Sequence, residues 1–315
     1  MLRHTIAALG WVAFALVRAG HAPAQQNPDF PVVETDSVLL RELQGIVQGF
    51  DGKVGVYVRH LDSDRGVEIH ADSLFPTASL IKVPLLVTLF DRIERGDLSL
   101  EGTVAYPDTL TYHYTEATDV VGYMEPGDTL PLSEVAFLML SVSDNHASLW
   151  IQALVGGGST VNEWLAGHGF RQTRVNSRTP GREAAREAYG WGQMTPREIG
   201  ELLVMIREGR AVSPAASETM YRMLTSSYWR DVAVSQIPPT VQVASKQGFV
   251  SSSRSEVLLV DAPGGDYVLA VATRDQADTR WGPVNEGAEL LRNISRAVYR
   301  HFNPDDAWRP GAATR

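Results

Sequence analysis

The sequence contains no cysteine and very little lysine. Without cysteine no disulfide can form, so the fold must depend on its own hydrophobic core. Of the 28 basic residues only Lys53, Lys82 and Lys246 are lysines, and all the others are arginines. Arginine stays protonated whereas lysine can lose its proton. A chain that avoids lysine elsewhere keeps it where proton transfer is useful, so these lysines are candidate functional residues.

Other absences exclude several classes of function. The net charge is -9 and no basic cluster is visible, which argues against nucleic-acid binding. The eight histidines include no H-E-x-x-H pair, so we expect no metal site. The apolar run from Thr5 to Val17 is too short to cross a bilayer as a helix, so no membrane span is expected in the mature chain.

The first 24 residues have the pattern of an export signal. Arg3 and His4 precede the short apolar run, and Ala22-Pro23-Ala24 is a small-x-small cleavage site. We expect cleavage near Ala24 and a periplasmic or secreted protein. Loss of Arg3 and Arg18 with this segment would leave a net charge of -11.

Hydrophobic periodicity predicts an α+β fold. Amphipathic helices are predicted near both ends of the chain, a hairpin follows the first helix, three strands precede the last, and most signals between are helical. The segments are helix 36–49, strands 53–59 and 66–70, the helical region 77–228, strands 241–246, 256–261 and 267–273, and helix 284–302. Two capping boxes, Thr160 with Glu163 and Thr195 with Glu198, predict helix starts within the central region.

This order of segments predicts an α/β sandwich in which strands from both chain ends form one antiparallel sheet packed with helices, and an all-helical lobe is inserted between them. We expect one catalytic domain over residues 36–302, after an N-terminal extension over 25–35 and before a flexible tail over 303–315. Its α/β lobe would comprise residues 36–75 and 230–302, and its helical lobe residues 76–229.

The tetrapeptide Ser79-Leu80-Ile81-Lys82 is the first motif with chemical content. Apolar residues at helical spacing predict a helix from near Ser79 to about Arg95. Residues three apart share a helix face, so the Lys82 amine lies within reach of the Ser79 hydroxyl. A serine becomes a nucleophile when a nearby base takes its proton, and a desolvated amine can be that base. Alone, the pattern is weak evidence, because it also occurs by chance on surface helices.

Two later motifs complete a specific set. Ser143-Asp144-Asn145 lies between predicted helices, where these residue types also serve as ordinary caps. Lys246-Gln247-Gly248 ends a β-rich run, where a solvated lysine is an equally ordinary interpretation. S-x-x-K, then S-D-N, then K-x-G on a late strand is the motif order of class A β-lactamases and penicillin-binding proteins. From about residue 36 to 302 the chain resembles class A β-lactamases.

The resemblance implies catalytic roles for five residues. Ser79 would attack an amide carbonyl with Lys82 taking its proton. Ser143 would relay a proton to the leaving nitrogen, with Lys246 beside it. The backbone N–H groups of Ser79 and Phe249 would form the oxyanion hole.

It also implies substrate-binding residues. Asn145 would hold the substrate's amide side chain, and Lys246 with Arg254 would attract its carboxylate, although Arg254 can also be an ordinary turn residue. Gln247 and Gly248 complete the K-x-G segment. Gln247 stands where the family has Thr or Ser, which removes a hydroxyl and leaves an amide donor.

The larger departure lies in the counterpart of the family's omega loop, residues 176–183. An ungapped match puts Thr179 where the family carries the glutamate that activates the deacylating water. A threonine hydroxyl cannot act as a general base near neutral pH. Glu183 is a candidate for a relocated base, and its ordinary interpretation is a solvated acid.

Three functions are consistent with these residues. The whole-chain resemblance favours a serine β-lactamase that forms a Ser79 acyl-enzyme and hydrolyses it slowly or with an atypical base. Thr179 favours a penicillin-binding D,D-peptidase acting on D-Ala-D-Ala peptidoglycan stems. The third is a non-catalytic sensor of penicilloyl groups or the wall. The resemblance implies a small-molecule substrate, a monomer and no cofactor.

Overall fold

The strands at residues 53–60 and 267–274 are rich in valine and other apolar residues and are buried along nearly their whole length. The computed structural model describes residues 30–110, 112 and 118–311, so the predicted leader lies outside the described residues. The strands are β1 (Glu34–Thr35), β2 (Lys53–His60), β3 (Arg65–Ile69), β4 (Phe75–Pro76), β5 (Thr103–Ala105), β6 (Thr129–Pro131), β7 (Arg174–Val175), β8 (Gly192–Met194), β9 (Gln242–Val250), β10 (Ser253–Asp261) and β11 (Tyr267–Arg274). The helices are α1 (Ser37–Val47), α2 (Lys82–Glu94), α3 (Leu132–Ser141), α4 (Asn145–Leu154), α5 (Gly157–Gly167), α6 (Glu183–Tyr189), α7 (Pro196–Arg207), α8 (Pro214–Thr225) and α9 (Glu286–Phe302).

The main sheet has the order β1-β3-β2-β11-β10-β9. All its pairs are antiparallel except the short β1–β3 pair. Strands β2 and β3 come from the start of the chain and β9 to β11 from its end, and they meet where β2 pairs with β11. The predicted α+β fold, with an antiparallel sheet built from both chain ends, is confirmed.

The sheet separates two cores, because successive residues of a strand point to opposite faces. On one face, α1 and α9 cover side chains such as Val56 and Leu258. On the other face, Tyr57 and Val257 join the core of the helical region. There, α2 is buried from Lys82 to Phe90 and packs against α4, α5 and α8. A helix that is enclosed in this way can hold a lysine away from water.

Local signals fixed most helix starts. Asp36 caps α1 through the N–H groups of Val38 and Leu39, and Thr195 caps α7 through the N–H of Glu198. The predicted cap at Thr160 is wrong. Helix α5 already begins at Gly157, so Thr160 lies inside it and donates its hydroxyl to the Gly156 carbonyl at 3.0 Å.

The segment that follows α9 starts with an anchored residue. Asn303 is buried and accepts the Gly264 N–H at 2.9 Å, which anchors the first residue of the segment predicted to fray. Within the described ranges, no helix has the length and apolar character needed to span a bilayer.

Candidate active site

Ser79 lies in a 3₁₀ turn, Ala78–Ile81, that leads directly into α2. The predicted helix start is therefore nearly right, but its first turn is tighter than an α-helix. Side chains three apart eclipse in a 3₁₀ turn, which sets Ser79 and Lys82 on one face. Ala78 has a φ of +42°, a conformation that costs a non-glycine residue about 1–3 kcal/mol. Strain of this kind directly before a half-buried serine is typical of a functional site.

The two functional lysines converge on one hydroxyl. The Lys82 Nζ donates to Ser143 Oγ and to Asn145 Oδ1, both at 3.0 Å, and also to the Ser143 carbonyl. The Lys246 Nζ lies 3.0 Å from the same Ser143 Oγ. Both lysines are fully buried. Burial, together with the charge of Lys82, lowers the pKa of Lys246 well below its ordinary value.

The Ser143 loop is held by its neighbour Asp144, which is also the cap that the sequence suggested. The Asp144 carboxylate accepts the N–H groups of Ala147 and Val121, each at 2.8 Å. Burial raises the pKa of Asp144. Ser143 itself has a φ of +66°. The helix cap and the S-D-N motif are therefore the same structure. Asp144 fixes the loop in which Ser143, with its positive φ, contacts Lys82 and Lys246.

Strand β9 brings Gly248 and Phe249 to the Ser79 turn from the opposite side. A side chain at Gly248 would lie 2.8 Å from the Ser79 backbone nitrogen, so only glycine permits this approach. Strand β9 is the last of the sheet, and Val250 pairs with Ser253 across a two-residue turn. Because hydrogen-bonded and non-bonded pairs alternate, Phe249 directs its N–H to the free edge. The edge faces the turn where an oxyanion hole is expected.

The structure does not bring Arg254 to the carboxylate site that was predicted for it with Lys246. Arg254 pairs with Phe249, so it lies on the face opposite Lys246. Its guanidinium is 1% exposed and donates to the carbonyls of Val250, Ser253 and Arg280. The arginine ties down the β9–β10 turn, which is the ordinary interpretation of this residue.

Gln247 shares that rear face with Glu256, its cross-strand neighbour on β10. Glu256 accepts the Ala233 N–H at 2.8 Å, and burial raises its pKa to about 7. The Oε1 atoms of Gln247 and Glu256 are both buried, and neither has a hydrogen-bond partner within the described part of the chain. A proton on Glu256 would convert one of these two acceptors into a donor.

The described contacts of Thr179 and Glu183, the two residues predicted for deacylation, do not include Lys82. Thr179 is buried against Gly158 at the start of α5, and its hydroxyl donates to the Ser177 carbonyl at 3.0 Å. Glu183 is exposed, and its carboxylate accepts the Gly181 N–H at 3.1 Å. Trp191 lies eight residues beyond this segment, but its carbonyl accepts the N–H groups of Asn176 and Ser177, so it forms one structural unit with the segment. The Lys82 Nζ lies 6.0 Å from the centre of the Trp191 ring.

Trp191 and Asp119 are site residues that the sequence analysis missed. The Asn145 N–H donates to a buried Asp119 carboxylate oxygen at 2.7 Å, which fixes the start of α4. The one sequence signal at Trp191 is its position between two glycines, Gly190 and Gly192. Among the described residues, no group of three or more His, Asp or Glu side chains is arranged to hold a metal ion.

Comparisons with known proteins identify the family and related folds. The family model described as "Beta-lactamase enzyme family" matches residues 39–302. Beta-lactamase VEB-1 of Pseudomonas aeruginosa is 19% identical over 85% of this chain and 91% of its own. The solved structure of PBP-A has a TM-score of 0.77 at 25% identity, covering 87% of this chain and 99% of that one. A PBP-A mutant in an acyl-enzyme complex with penicillin G has a TM-score of 0.76, also at 25% identity, over 87% of this chain and 100% of its own.

Proposed function

Because the chain belongs to the beta-lactamase enzyme family, we propose that it is a serine hydrolase that opens the β-lactam amide through an acyl-enzyme on Ser79 and releases the product slowly. The observation that carries the proposal is the Ser143 hydroxyl, which lies 3.0 Å from two buried lysine nitrogens beside the Ser79 turn. Two ammonium groups so close to one hydroxyl repel each other, which favours one amine being unprotonated. Because both nitrogens contact the same Ser143 hydroxyl, the two amines titrate as a pair, and the reactive form is the one in which Lys82 is unprotonated and can take the Ser79 proton.

Acylation then needs only groups on this wall of the cleft. Ser79 Oγ bonds to the carbonyl carbon as its proton moves to Lys82 Nζ, and the oxyanion is bound by the N–H groups of Ser79 and Phe249. The C–N bond breaks as Ser143 gives its proton to the leaving nitrogen. Lys82 restores the Ser143 proton across the 3.0 Å contact. The net result is the transfer of the Ser79 proton to nitrogen and an ester at Ser79.

Deacylation requires a water that attacks the ester carbon while a base takes its proton, and Ser79 Oγ leaves with a proton. Thr179 is not a base at neutral pH, and Glu183 is bound to its own loop. These observations support a long-lived adduct. The penicillin G acyl-enzyme of the PBP-A mutant gives support from a related scaffold. We also propose export with a cleaved leader and a monomeric mature protein.

A second candidate is a D,D-peptidase that cleaves D-Ala-D-Ala stems and is trapped by penicillin. The likeness to PBP-A and the lack of a glutamate at position 179 favour it. The residues around Ser79 suit either reaction, because in both an amide C–N bond breaks, the acyl group is attached to serine and the nitrogen is protonated. A purely non-catalytic sensor is disfavoured, since it would need neither of the two buried lysines.

The test is intact-protein mass spectrometry after mixing the mature chain with benzylpenicillin. We expect an increase equal to the whole penicillin, because ring opening releases no fragment, and no increase for Ser79→Ala. Folding of both proteins is checked by thermal melting. No adduct on the folded native chain would refute both candidate functions. Release of D-Ala from a stem pentapeptide, faster than turnover of penicillin, would select the second candidate.

A further inference from the structure

Two aromatic side chains, Trp191 and Tyr112, lie beside Lys82. The Trp191 and Tyr112 rings meet edge to face, with centroids 5.6 Å apart and an interplanar angle of 75°. Tyr112 makes a second edge contact, 5.2 Å to His146, the residue after Asn145. With the Trp191 ring 6.0 Å from the Lys82 Nζ, the two aromatics span from the omega-loop segment to the S-D-N loop.

The backbone holds Trp191 in this position. Its carbonyl accepts the N–H groups of Asn176 and Ser177, at 2.8 and 2.9 Å. The next residue, Gly192, packs so closely on the Ser79 turn that a side chain there would lie 2.6 Å from Ile81 and 2.7 Å from Thr77. The indole is therefore anchored at the turn that carries the nucleophile, rather than resting loosely on the surface.

We propose that Trp191 excludes the hydrolytic water from the Ser79 acyl-enzyme and so determines how long the adduct lasts. The inference rests on the proposed function, because it presupposes that the adduct forms. An indole ring face offers no lone pair to orient a water or to take its proton, and water gains little next to it. Trp191 is thus a positioning residue for the second half of the reaction.

A plain structural role, or a role in holding the substrate side chain, predicts something different. Either would change how fast Ser79 is acylated, or how stable the fold is, as much as it changes hydrolysis. The role proposed here separates the two rates: acylation stays within about threefold, and the lifetime of the adduct falls. Replacement of the Trp191 ring by a polar side chain therefore tests whether the ring excludes water.

The experiment uses Trp191→Gln and Trp191→Glu, which differ only in the presence of a basic carboxylate. Acylation by benzylpenicillin and decay of the adduct are followed by intact-protein mass spectrometry. We expect Trp191→Gln to shorten the adduct lifetime about tenfold by admitting water. Trp191→Glu should shorten it at least about tenfold more, since a positioned base is worth roughly 10²- to 10⁴-fold. Trp191→Phe, which retains an apolar ring, should keep the native lifetime within about threefold.

Trp281→Gln is the matched control, because Trp281 is 65% exposed and stacks on Arg254 behind β9. It should alter neither rate. If the native chain forms no adduct, the proposed function fails and not this inference. An adduct whose lifetime is the same in folded Trp191→Gln and Trp191→Glu as in the native chain would overturn the inference alone. A Trp191→Phe variant that loses its adduct as fast as Trp191→Gln would overturn it too.

Discussion

Two sides of the site, the first and second walls, are built from different kinds of side chain. The first wall comprises Ser79, Lys82, Ser143 and Lys246, and the second comprises the omega-loop segment together with Trp191. The first has two buried lysines, a shared serine hydroxyl and strained backbone at Ala78 and Ser143. The second presents the ring of Trp191, while its acid Glu183 lies in solvent. The groups proposed to transfer protons are therefore concentrated on one side of the site.

This difference implies that the two halves of the reaction can be separated. Breaking the amide needs the nucleophile, a base, a proton donor and an oxyanion hole, and all the residues proposed for these roles lie on the first wall. Hydrolysis of the ester needs a base near the incoming water, which is the contribution the second wall lacks. Changes on the first wall should affect formation of the adduct, and changes on the second should affect only its decay.

Removal of the shared hydroxyl should have the largest effect. In Ser143→Ala the two lysines lose the group that connects them and the leaving nitrogen loses its proton donor. We expect acylation by benzylpenicillin to slow by roughly 10²- to 10⁴-fold, measured from the rate of adduct formation. Ser99→Ala is the control, because that exposed hydroxyl bonds only to Glu101 among the contacts described and should leave the rate unchanged. A loss of less than about threefold would remove Ser143 from the mechanism.

Forcing β9 away from the Ser79 turn should have the next largest effect. In Gly248→Ala the new methyl group would meet the Ser79 backbone nitrogen at 2.8 Å, so the strand must shift and the two oxyanion donors separate. Loss of one such donor costs about 10²- to 10³-fold. The control Gly45→Ala has free space within α1 and should be neutral or slightly stabilising. Native acylation rates in Gly248→Ala would mean that the strand edge does not form the oxyanion hole.

Much of the first wall was predictable from sequence because its signals are local. Caps such as Asp36 and Thr195 and the alternation in β2 and β11 depend on near neighbours, and they located most elements. Ser79, Ser143 and Lys246 are far apart along the chain, but each belongs to a short motif. The order of those motifs alone predicts that they lie close together.

The errors have a common physical origin in long-range geometry. Whether Arg254 meets the substrate depends on the register of the β9–β10 hairpin, and a one-residue change moves a side chain to the other face. Trp191 belongs to none of the short catalytic motifs of the sequence. Its importance comes from Tyr112 and Lys82, which are distant in sequence. Thr160 has the residue types of a cap, yet Gly157 starts the helix one turn earlier.

The buried acid Glu256 lies behind Lys246 and Gly248, and the free-energy cost of its charge can be measured. The pKa of Glu256 rises from 4.5 to about 7 on folding, mainly through burial. Between these values the folded protein keeps a proton that the unfolded chain has lost, so stability falls as the pH rises through this window. We expect the free energy of unfolding to fall by roughly 3 kcal/mol from pH 4.5 to 8, relative to Glu256→Gln. Denaturant titrations of both proteins at several pH values measure the difference, and parallel curves would contradict it.

The smallest effect is expected from Thr179, although the sequence placed it at the centre of deacylation. In Thr179→Val the hydroxyl bond to the Ser177 carbonyl is lost, which should lower the free energy of unfolding by about 1 kcal/mol. The adduct lifetime should not change, because that hydroxyl is bonded within its own loop. The matched control is Thr173→Val, just before β7, where the buried hydroxyl has no partner in the described part of the chain, so its removal should cost nothing. If instead Thr179→Val changed the adduct lifetime more than about threefold while Thr173→Val did not, the threonine would take part in hydrolysis, and the second wall would contribute more than a water-excluding ring.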